Sequence, residues 1–312
     1  MKLRCLLYSA IFVALIGFNS STPSFSAQQS SPGTVPVSVV VSVEARHGKD
    51  IPIVNREDVR VMAGRKRLQV TDWTPYQGDQ TGLELFVLID EFSDANLSTQ
   101  FDDLRRLFND QPATTAIAVG YMENGTVRMA QNFTTDHAAA AKALRIPIGF
   151  AAGESSPYLS VVDAIKRWLG SDKRHEIFLI SSGVDPMQPG SQDSYLQNAI
   201  AQAQRSGTQV YTIYASGSGH FGHSLWRVNQ AQSNLSQLAD QTGGESYFQG
   251  TGTPINFTPF LDQFADRLNH QYKLTFLVTA GKKASYLHVR LETEVANVEL
   301  VTADNVLVPA AK

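Results

Sequence analysis

The sequence Leu83-Glu-Leu-Phe-Val-Leu-Ile-Asp90, continued by Glu91-Phe-Ser-Asp-Ala-Asn96, decides the fold class. A nearly continuous apolar run that ends in a carboxylate is typical of a strand in a parallel sheet whose two faces are covered by helices. In such sheets, the loops at the carboxyl ends of the strands carry the ligand sites. We therefore expect Asp90 to lie at the rim of a binding face.

The region downstream of this strand alternates between strand-like and helix-like segments. Strands are predicted at residues 83–90, 114–122, 127–133, 175–182, 208–215 and 245–249, and helices at 96–109, 136–144, 157–169, 193–205, 223–242 and 258–271. Asn124-Gly125 predicts a two-residue hairpin, because both residues accept the positive φ angles of a type I′ turn. The pattern predicts an α/β fold with a doubly wound, mostly parallel, Rossmann-like sheet and one antiparallel edge strand.

The segments on both sides of the α/β region are predicted to form strands. Residues 35–78 and 272–312 alternate without a helical signal, with single strands predicted at 272–279, 286–293 and 298–307. We expect them to form a small β unit around the α/β domain of residues 79–271. The pattern leaves open whether these strands make a separate sandwich or extend the main sheet.

The amino terminus predicts export. Met1-Lys-Leu-Arg4 is followed by a short apolar run to Phe18 and by small residues to Ala27, which is typical of a secretory signal peptide. The run is shorter than the about 20 apolar residues that a membrane span needs. We expect a signal peptide over residues 1–27, a flexible leader over 28–34, and a periplasmic or secreted protein with no transmembrane segment in the mature chain.

Composition and motifs exclude several function classes. The only cysteine, Cys5, lies in the predicted signal peptide, so the mature chain has no thiol nucleophile and no thiolate metal site. The net charge is −3 and no basic stripe is present, which argues against nucleic-acid binding. The chain has no Gly-x-Ser-x-Gly elbow, no phosphate-binding Gly-x-x-x-x-Gly-Lys-Ser/Thr loop and no His-Glu-x-x-His zinc motif.

An Asn-Gly hairpin directly after the second strand, together with an apolar first strand that ends in Asp90, resembles a von Willebrand factor type A (VWA) domain. The segment Arg56-Glu-Asp-Val-Arg-Val-Met-Ala-Gly64, followed by Trp73-Thr-Pro75, resembles the bacterial, "acidobacterial" branch of that superfamily. The resemblance covers residues 35–309. It implies a module that binds a macromolecular partner through loops at residues 90–96, 149–158, 182–193 and 217–223.

The resemblance also implies a metal site at these loops, built from Asp-x-Ser-x-Ser, a Thr from a second loop and an Asp after the fourth strand. Hard oxygen ligands of this kind suit Mg²⁺, Ca²⁺ or Mn²⁺. Asp90 matches the motif, but Phe92 replaces the first Ser and Ser182 takes the position of the last Asp. Two outcomes stay open: a lost site, or a rewired, degenerate site. The tentative ligands of the rewired site are Asp90, Ser93, Asp94, Ser156 and Asp185.

The same loops supply the tentative partner contacts, which are Glu91, Glu154, Ser155, Tyr158, His220 and His223. His220 and His223 lack a third ligand at a suitable spacing, so we expect them to shape or cap a loop rather than hold a transition metal. The leading prediction is an exported, non-enzymatic protein-binding or adhesion module. The alternatives are a carboxylate- or metal-dependent hydrolase at the same face, and a metal-free structural component of an envelope complex.

Overall fold

The computed structural model describes residues 33–77, 82–149, 155–169, 173–188, 193–218 and 224–311. The strands are β1 Thr34–Ala45, β2 Val59–Ala63, β3 Lys66–Pro75, β4 Leu83–Asp90, β5 Ala116–Glu123, β6 Thr126–Thr134, β7 Arg174–Ser181, β8 Gln209–Tyr214, β9 Ser246–Tyr247, β10 Gln271–Thr279, β11 Ser285–His288, β12 Arg290–Thr293, β13 Val298–Val301 and β14 Asn305–Val308. The helices are α1 Phe101–Asp110, α2 His137–Lys142, α3 Pro157–Ile165, α4 Ser194–Ser206, α5 Leu225–Thr242 and α6 Thr258–Asn269.

The central sheet has the strand order β6-β5-β4-β7-β8-β9, and only β6 runs antiparallel to its neighbour. This sheet confirms the predicted α/β class with one antiparallel edge strand. The chain adds β5 and β6 on one side of β4 and then adds β7, β8 and β9 on the other. The direction of winding therefore reverses next to β4, and ligands bind at such switch points, outside the carboxyl ends of the strands.

β4 lies in the interior of the sheet, and helices cover both of its faces. All eight of its residues are buried. Leu85, Val87 and Ile89 pack in a core with residues of α1, α2 and α6, while Phe86 and Leu88 pack in a second core with residues of α3, α4 and α5. Alternate side chains of a strand point to opposite faces, which explains why a strand buried on both sides reads as a continuous apolar run.

The predicted hairpin is confirmed. Asn124 has φ 52° and Gly125 has φ 70°, the positive values that a type I′ turn requires. β5 and β6 pair antiparallel on either side of this turn, with Glu123 opposite Thr126. A dipeptide therefore determined the one reversal of direction in the central sheet.

The strands from both ends of the chain form an antiparallel sheet of their own, in the order β12-β2-β3-β10-β1-β13. Two predictions for this region were wrong, because the single strands expected at residues 286–293 and 298–307 each break in two. β12 pairs with β2 and β13 pairs with β1, whereas β11 and β14 pair with each other. The chain changes partners at the breaks, and alternation alone does not record such a change.

Several helix bounds also differ from prediction. The helix expected at residues 96–109 begins as a 3-10 turn over Ala95–Gln100 and becomes α-helical only at Phe101. Asp94 caps the 3-10 turn, since its Oδ1 accepts a hydrogen bond from the Asn96 amide at 2.9 Å.

In the described part of the chain, no helix is long and apolar enough to cross a membrane.

Candidate functional site

Asp90 lies at the switch point, where the carboxyl ends of β4 and β7 meet. Its side chain is only 3% exposed. Oδ2 accepts a hydrogen bond from the Ser181 hydroxyl at 2.7 Å, and Oδ1 accepts one from the Phe92 amide at 3.0 Å. Burial raises the pKa of Asp90 to about 6, although these hydrogen bonds act in the opposite direction. The predicted rim residue is thus a buried acid held by two donors from neighbouring strand ends.

The loop after β4 is tied to the loop after β8. The Ser218 amide donates to the Phe92 carbonyl at 2.9 Å, and the Asp94 amide donates to the Ser216 carbonyl at 2.9 Å. Between them, Ser93 forms an isolated β-bridge with Gly217. The Ser93 hydroxyl is buried and has no hydrogen-bond partner among the residues that the structure describes.

A second polar pair lies between the start of α3 and the loop after β7. The Ser156 hydroxyl donates to Oδ2 of Asp185, which is 6% exposed. Oδ1 of Asp185 accepts a hydrogen bond from the Met187 amide at 2.9 Å. Burial raises the pKa of Asp185, and the hydrogen bond from Ser156 opposes that effect. Ser156 is also the N-cap of α3, because its oxygen accepts from the Leu159 amide at 3.3 Å.

Glu91 is fully buried in an ion pair with Arg145. Oε2 also accepts a hydrogen bond from the Ile148 amide at 3.0 Å, and the Arg145 guanidinium lies 3.9 Å from the centre of the Tyr121 ring. Glu91 therefore anchors the segment after α2 to the end of β4. A direct contact between Glu91 and a partner does not fit this position. Sequence reasoning missed Arg145, which lies 54 residues away along the chain.

Two other predicted partner contacts are also inward-facing. Tyr158 is fully buried, and its hydroxyl donates to the Gly183 carbonyl at 2.8 Å. Ser155 is 7% exposed, and its hydroxyl accepts from the Gly125 amide at 3.3 Å. These positions do not fit direct contact with a partner, because the side chains stabilise the loops from beneath. Glu154, His220 and His223 lie outside the described residues.

The antiparallel strand made by the Asn-Gly hairpin and the buried strand that ends in Asp90 are the features on which the resemblance was stated from the sequence. The α/β domain has a von Willebrand factor type A-like fold. No protein-family model matches the sequence, and no curated protein matches it.

Similar solved structures include bacterial proteins, two of which are described as von Willebrand factor domains. BatB from Bacteroides thetaiotaomicron is 12% identical with a TM-score of 0.45, and the match covers 60% of this chain and 97% of that one. The von Willebrand factor type A protein from Catenulispora acidiphila is 9% identical with a TM-score of 0.46, covering 88% of this chain and 74% of that one. The vWF domain of the type V pili tip protein Mfa5 from Porphyromonas gingivalis is 14% identical with a TM-score of 0.42, and the match covers 64% of this chain and 96% of that one.

The VWA-like domain does not hold its carboxylates as a ready cation site. Within the described ranges, no group of three or more His, Cys, Asp or Glu side chains is placed to hold a metal ion. Both oxygens of Asp90 and both oxygens of Asp185 accept hydrogen bonds from protein donors, and Asp94 acts as a cap. Only the buried Ser93 hydroxyl is unused. Each of these carboxylate oxygens keeps a second lone pair, so metal binding stays a prediction from the resemblance.

The loops of the VWA-like domain also present apolar side chains that sequence reasoning did not select. The described residues include ten exposed large apolar side chains, and seven of them follow the carboxyl ends of strands or lie on the segment that Glu91 anchors. We call these seven the top apolar set: Ile146, Ile148, Met187, Leu225, Trp226, Phe248 and Ile255. They occur in loops and at a helix start, where no periodic pattern marks a residue as exposed.

Proposed function

We propose that this protein is an exported, non-enzymatic module that binds a protein partner through the top apolar set. The observation that carries the proposal is the concentration of seven of ten exposed large apolar side chains at one end of the described structure. Single exposed apolar residues are ordinary, whereas grouped ones mark interaction surfaces. Trp226, with an exposed fraction of 62%, is the residue type most often found at the energetic centre of an interface.

The buried polar groups support this proposal because they hold the loops that carry the apolar residues. Glu91 accepts a hydrogen bond from the amide of Ile148, and Asp185 accepts one from the amide of Met187. An interface whose loops are already ordered loses less conformational entropy on binding. Asp185, a tentative metal ligand, and Glu91, a tentative partner contact, thus act beneath the surface as anchors of the proposed binding residues.

The same geometry argues against the hydrolase alternative. A general acid or base must reach the substrate within about 3 Å, directly or through one water. Asp90, Glu91 and Asp185 are buried, with exposed fractions of 3%, 0% and 6%, and all three accept hydrogen bonds from the protein itself. This arrangement favours binding over catalysis. Export rests on the signal-peptide pattern of residues 1–27.

Site-specific photo-crosslinking in cells tests the proposal. A photoreactive amino acid replaces Trp226 or Met187 in the full chain, and the matched controls carry it at Ile53 or Tyr286, which are exposed by 81% and 49% outside the top apolar set. We expect a discrete crosslinked protein from positions 226 and 187 in the envelope or secreted fraction, and none from positions 53 and 286. Equal crosslinking from all four positions, or none from position 226, would overturn the proposal.

A further inference from the structure

A cavity of about 410 Å³ lies at the opposite end of the central sheet from the top apolar set. Its walls are the starts of β7 and β8, the carboxyl ends of α4 and α5, parts of β1 and β10, and the segment around β14. We call it the basal cavity. Small-molecule sites usually have volumes of about 300–1,000 Å³, so the basal cavity is large enough for a small ligand. Both sheets contribute to its walls.

The lining of the basal cavity is basic. Lys173, Arg174, Arg205 and Lys273 line it, and its described lining includes no Asp or Glu. The chain as a whole has a net charge of −3, so the concentration of cations here runs against the overall composition. Arg and Lys are the side chains that bind phosphate and carboxylate groups through charge-assisted hydrogen bonds.

Two of these cationic side chains have no interaction partner among the described residues. Arg205 on α4 and Lys273 on β10 are exposed, and neither makes a hydrogen bond or ion pair in the part of the chain that the structure describes. They belong to different walls of the cavity, one from the α/β domain and one from the antiparallel sheet. A ligand with more than one negative charge could therefore contact both.

Arg174 provides a buried positive charge in the same lining. It is 4% exposed, and its guanidinium donates to the Leu268 carbonyl at 2.9 Å and to the Gln271 side chain. The acid that acts on it most strongly is Glu176, and burial raises the pKa of Glu176 to about 8. Arg174 therefore adds a buried cation to the lining of the cavity, beside the two exposed ones.

The helix ends that face the basal cavity oppose the attraction of an anion, because the carboxyl end of a helix carries partial negative charge. One carbonyl at each helix end, however, already accepts a hydrogen bond. The Ala203 carbonyl accepts from the Thr208 amide at 3.0 Å, and the Gln241 carbonyl accepts from Gln204 Nε2 at 2.8 Å. The full charges of the cationic side chains exceed the partial charges of the helix ends.

We propose that the basal cavity binds a small anion carrying a multiply charged phosphate group, held between Arg205 and Lys273 above Arg174. The site is separate from the proposed protein-binding surface. Because its walls come from both sheets, the bound anion also stabilises their junction.

Isothermal titration of the mature chain with inorganic pyrophosphate tests this proposal, with ionic strength held constant by chloride. We expect saturable one-site binding that weakens about tenfold in the Arg205→Gln/Lys273→Gln double variant, because charge-assisted hydrogen bonds are lost. The matched control is Lys282→Gln/Lys283→Gln, which removes the same charge from exposed positions after β10. We expect the affinity of the control to stay within about twofold of the native value, since distant sites act independently.

Equal weakening in the two double variants would overturn the proposal, because it would assign the attraction to overall charge. Absence of saturable binding by the native chain would overturn it as well. A parallel titration with ADP distinguishes the source of the phosphate group. Tighter binding of ADP than of pyrophosphate identifies a nucleotide-like ligand, and equal or weaker binding identifies an inorganic one.

Discussion

The two ends of the central sheet bury charged residues in different ways. At the top edge, Asp90 is held by Ser181 and by the Phe92 amide, all within the VWA-like domain. At the base, Gln271 of the antiparallel sheet contacts Arg174 and Glu176 of β7. The top groups order the loops of the proposed binding surface, whereas the basal groups join two sheets. We call the basal set the basal junction.

The comparison shows that the structural role of a buried charged residue depends on which groups the fold places next to it. Asp90 and its donors are close to strand ends that meet at a single edge, so their proximity follows from the parallel topology. Gln271 and Glu176 are 95 residues apart and meet only because the strands from both ends of the chain pack beneath the α/β domain. Breaking the basal junction should therefore cost more stability than breaking the top edge.

The largest effect is expected from Arg267→Met. Arg267 of α6 is 7% exposed and forms ion pairs with Glu44 of β1 and with Glu245. Removing one partner of a buried pair leaves an uncompensated charge. The carboxylates left behind, Glu44 and Glu245, are 29% and 46% exposed, so we expect a loss of about 3 kcal/mol in the free energy of unfolding, at the low end for such pairs. The measurement is urea denaturation at neutral pH.

The matched control is Arg60→Met. Arg60 pairs with Glu294, but their side chains are 36% and 73% exposed, and an exposed pair contributes about 0–1 kcal/mol. Equal losses of stability in the two variants would contradict a distinction between ion pairs of a buried arginine and surface ion pairs.

The second effect concerns pH. Burial raises the pKa of Glu176 from its usual 4.5 to about 8, and its Oε2 has no hydrogen-bond partner in the described structure. The folded protein keeps a proton that the unfolded chain loses, so Glu176 lowers stability progressively as pH rises between these two values. Glu176→Gln should remove this loss and raise stability at pH 9 relative to native.

Denaturation of the native chain and of Glu176→Gln across pH 5 to about 9 provides the comparison. The two curves should converge at the acid end, where Glu176 is protonated in the folded state. Parallel curves over the whole range would show that Glu176 does not titrate differently in the folded and unfolded states.

The smallest effect is expected at the top edge, from Asp90→Ala. This variant leaves the buried Ser181 hydroxyl and the Phe92 amide without their acceptor, which costs about 2 kcal/mol. Because no group of three or more His, Cys, Asp or Glu side chains is placed to hold a metal ion in the described ranges, we expect Mg²⁺, Ca²⁺ and Mn²⁺ to leave the melting temperature of the native chain unchanged relative to chelator.

A bound ion at hundredfold excess over its dissociation constant would add about 2.7 kcal/mol. A native shift of that size, lost in Asp90→Ala, would establish a rewired metal site and contradict our interpretation of the top edge. Asp90→Asn is the matched variant, since it keeps an oxygen acceptor for the Phe92 amide while removing the charge.

The sequence predicted most of the central sheet because its signals are local. The burial of β4 appears as an apolar run, and the reversal at β6 appears as Asn124-Gly125. The position of Asp90 at the carboxyl end of its strand followed from the same reasoning. The C-terminal strands were less predictable, because β11 and β14 leave the antiparallel sheet to pair with each other, and alternation is the same whichever partner a strand has.

The sequence by itself determined which segments are buried, where the chain turns, and that a carboxylate ends the first strand of the α/β domain. The partners of the charged groups follow from the tertiary structure alone. Glu91 forms an ion pair with Arg145, Glu176 accepts a hydrogen bond from Gln271, and Arg205 lines the same cavity as Lys273. The physical reason is the range of each signal. Periodicity and turn preferences act over a few residues, whereas the energy of a buried charge depends on the distance and exposure of groups brought together by the whole fold.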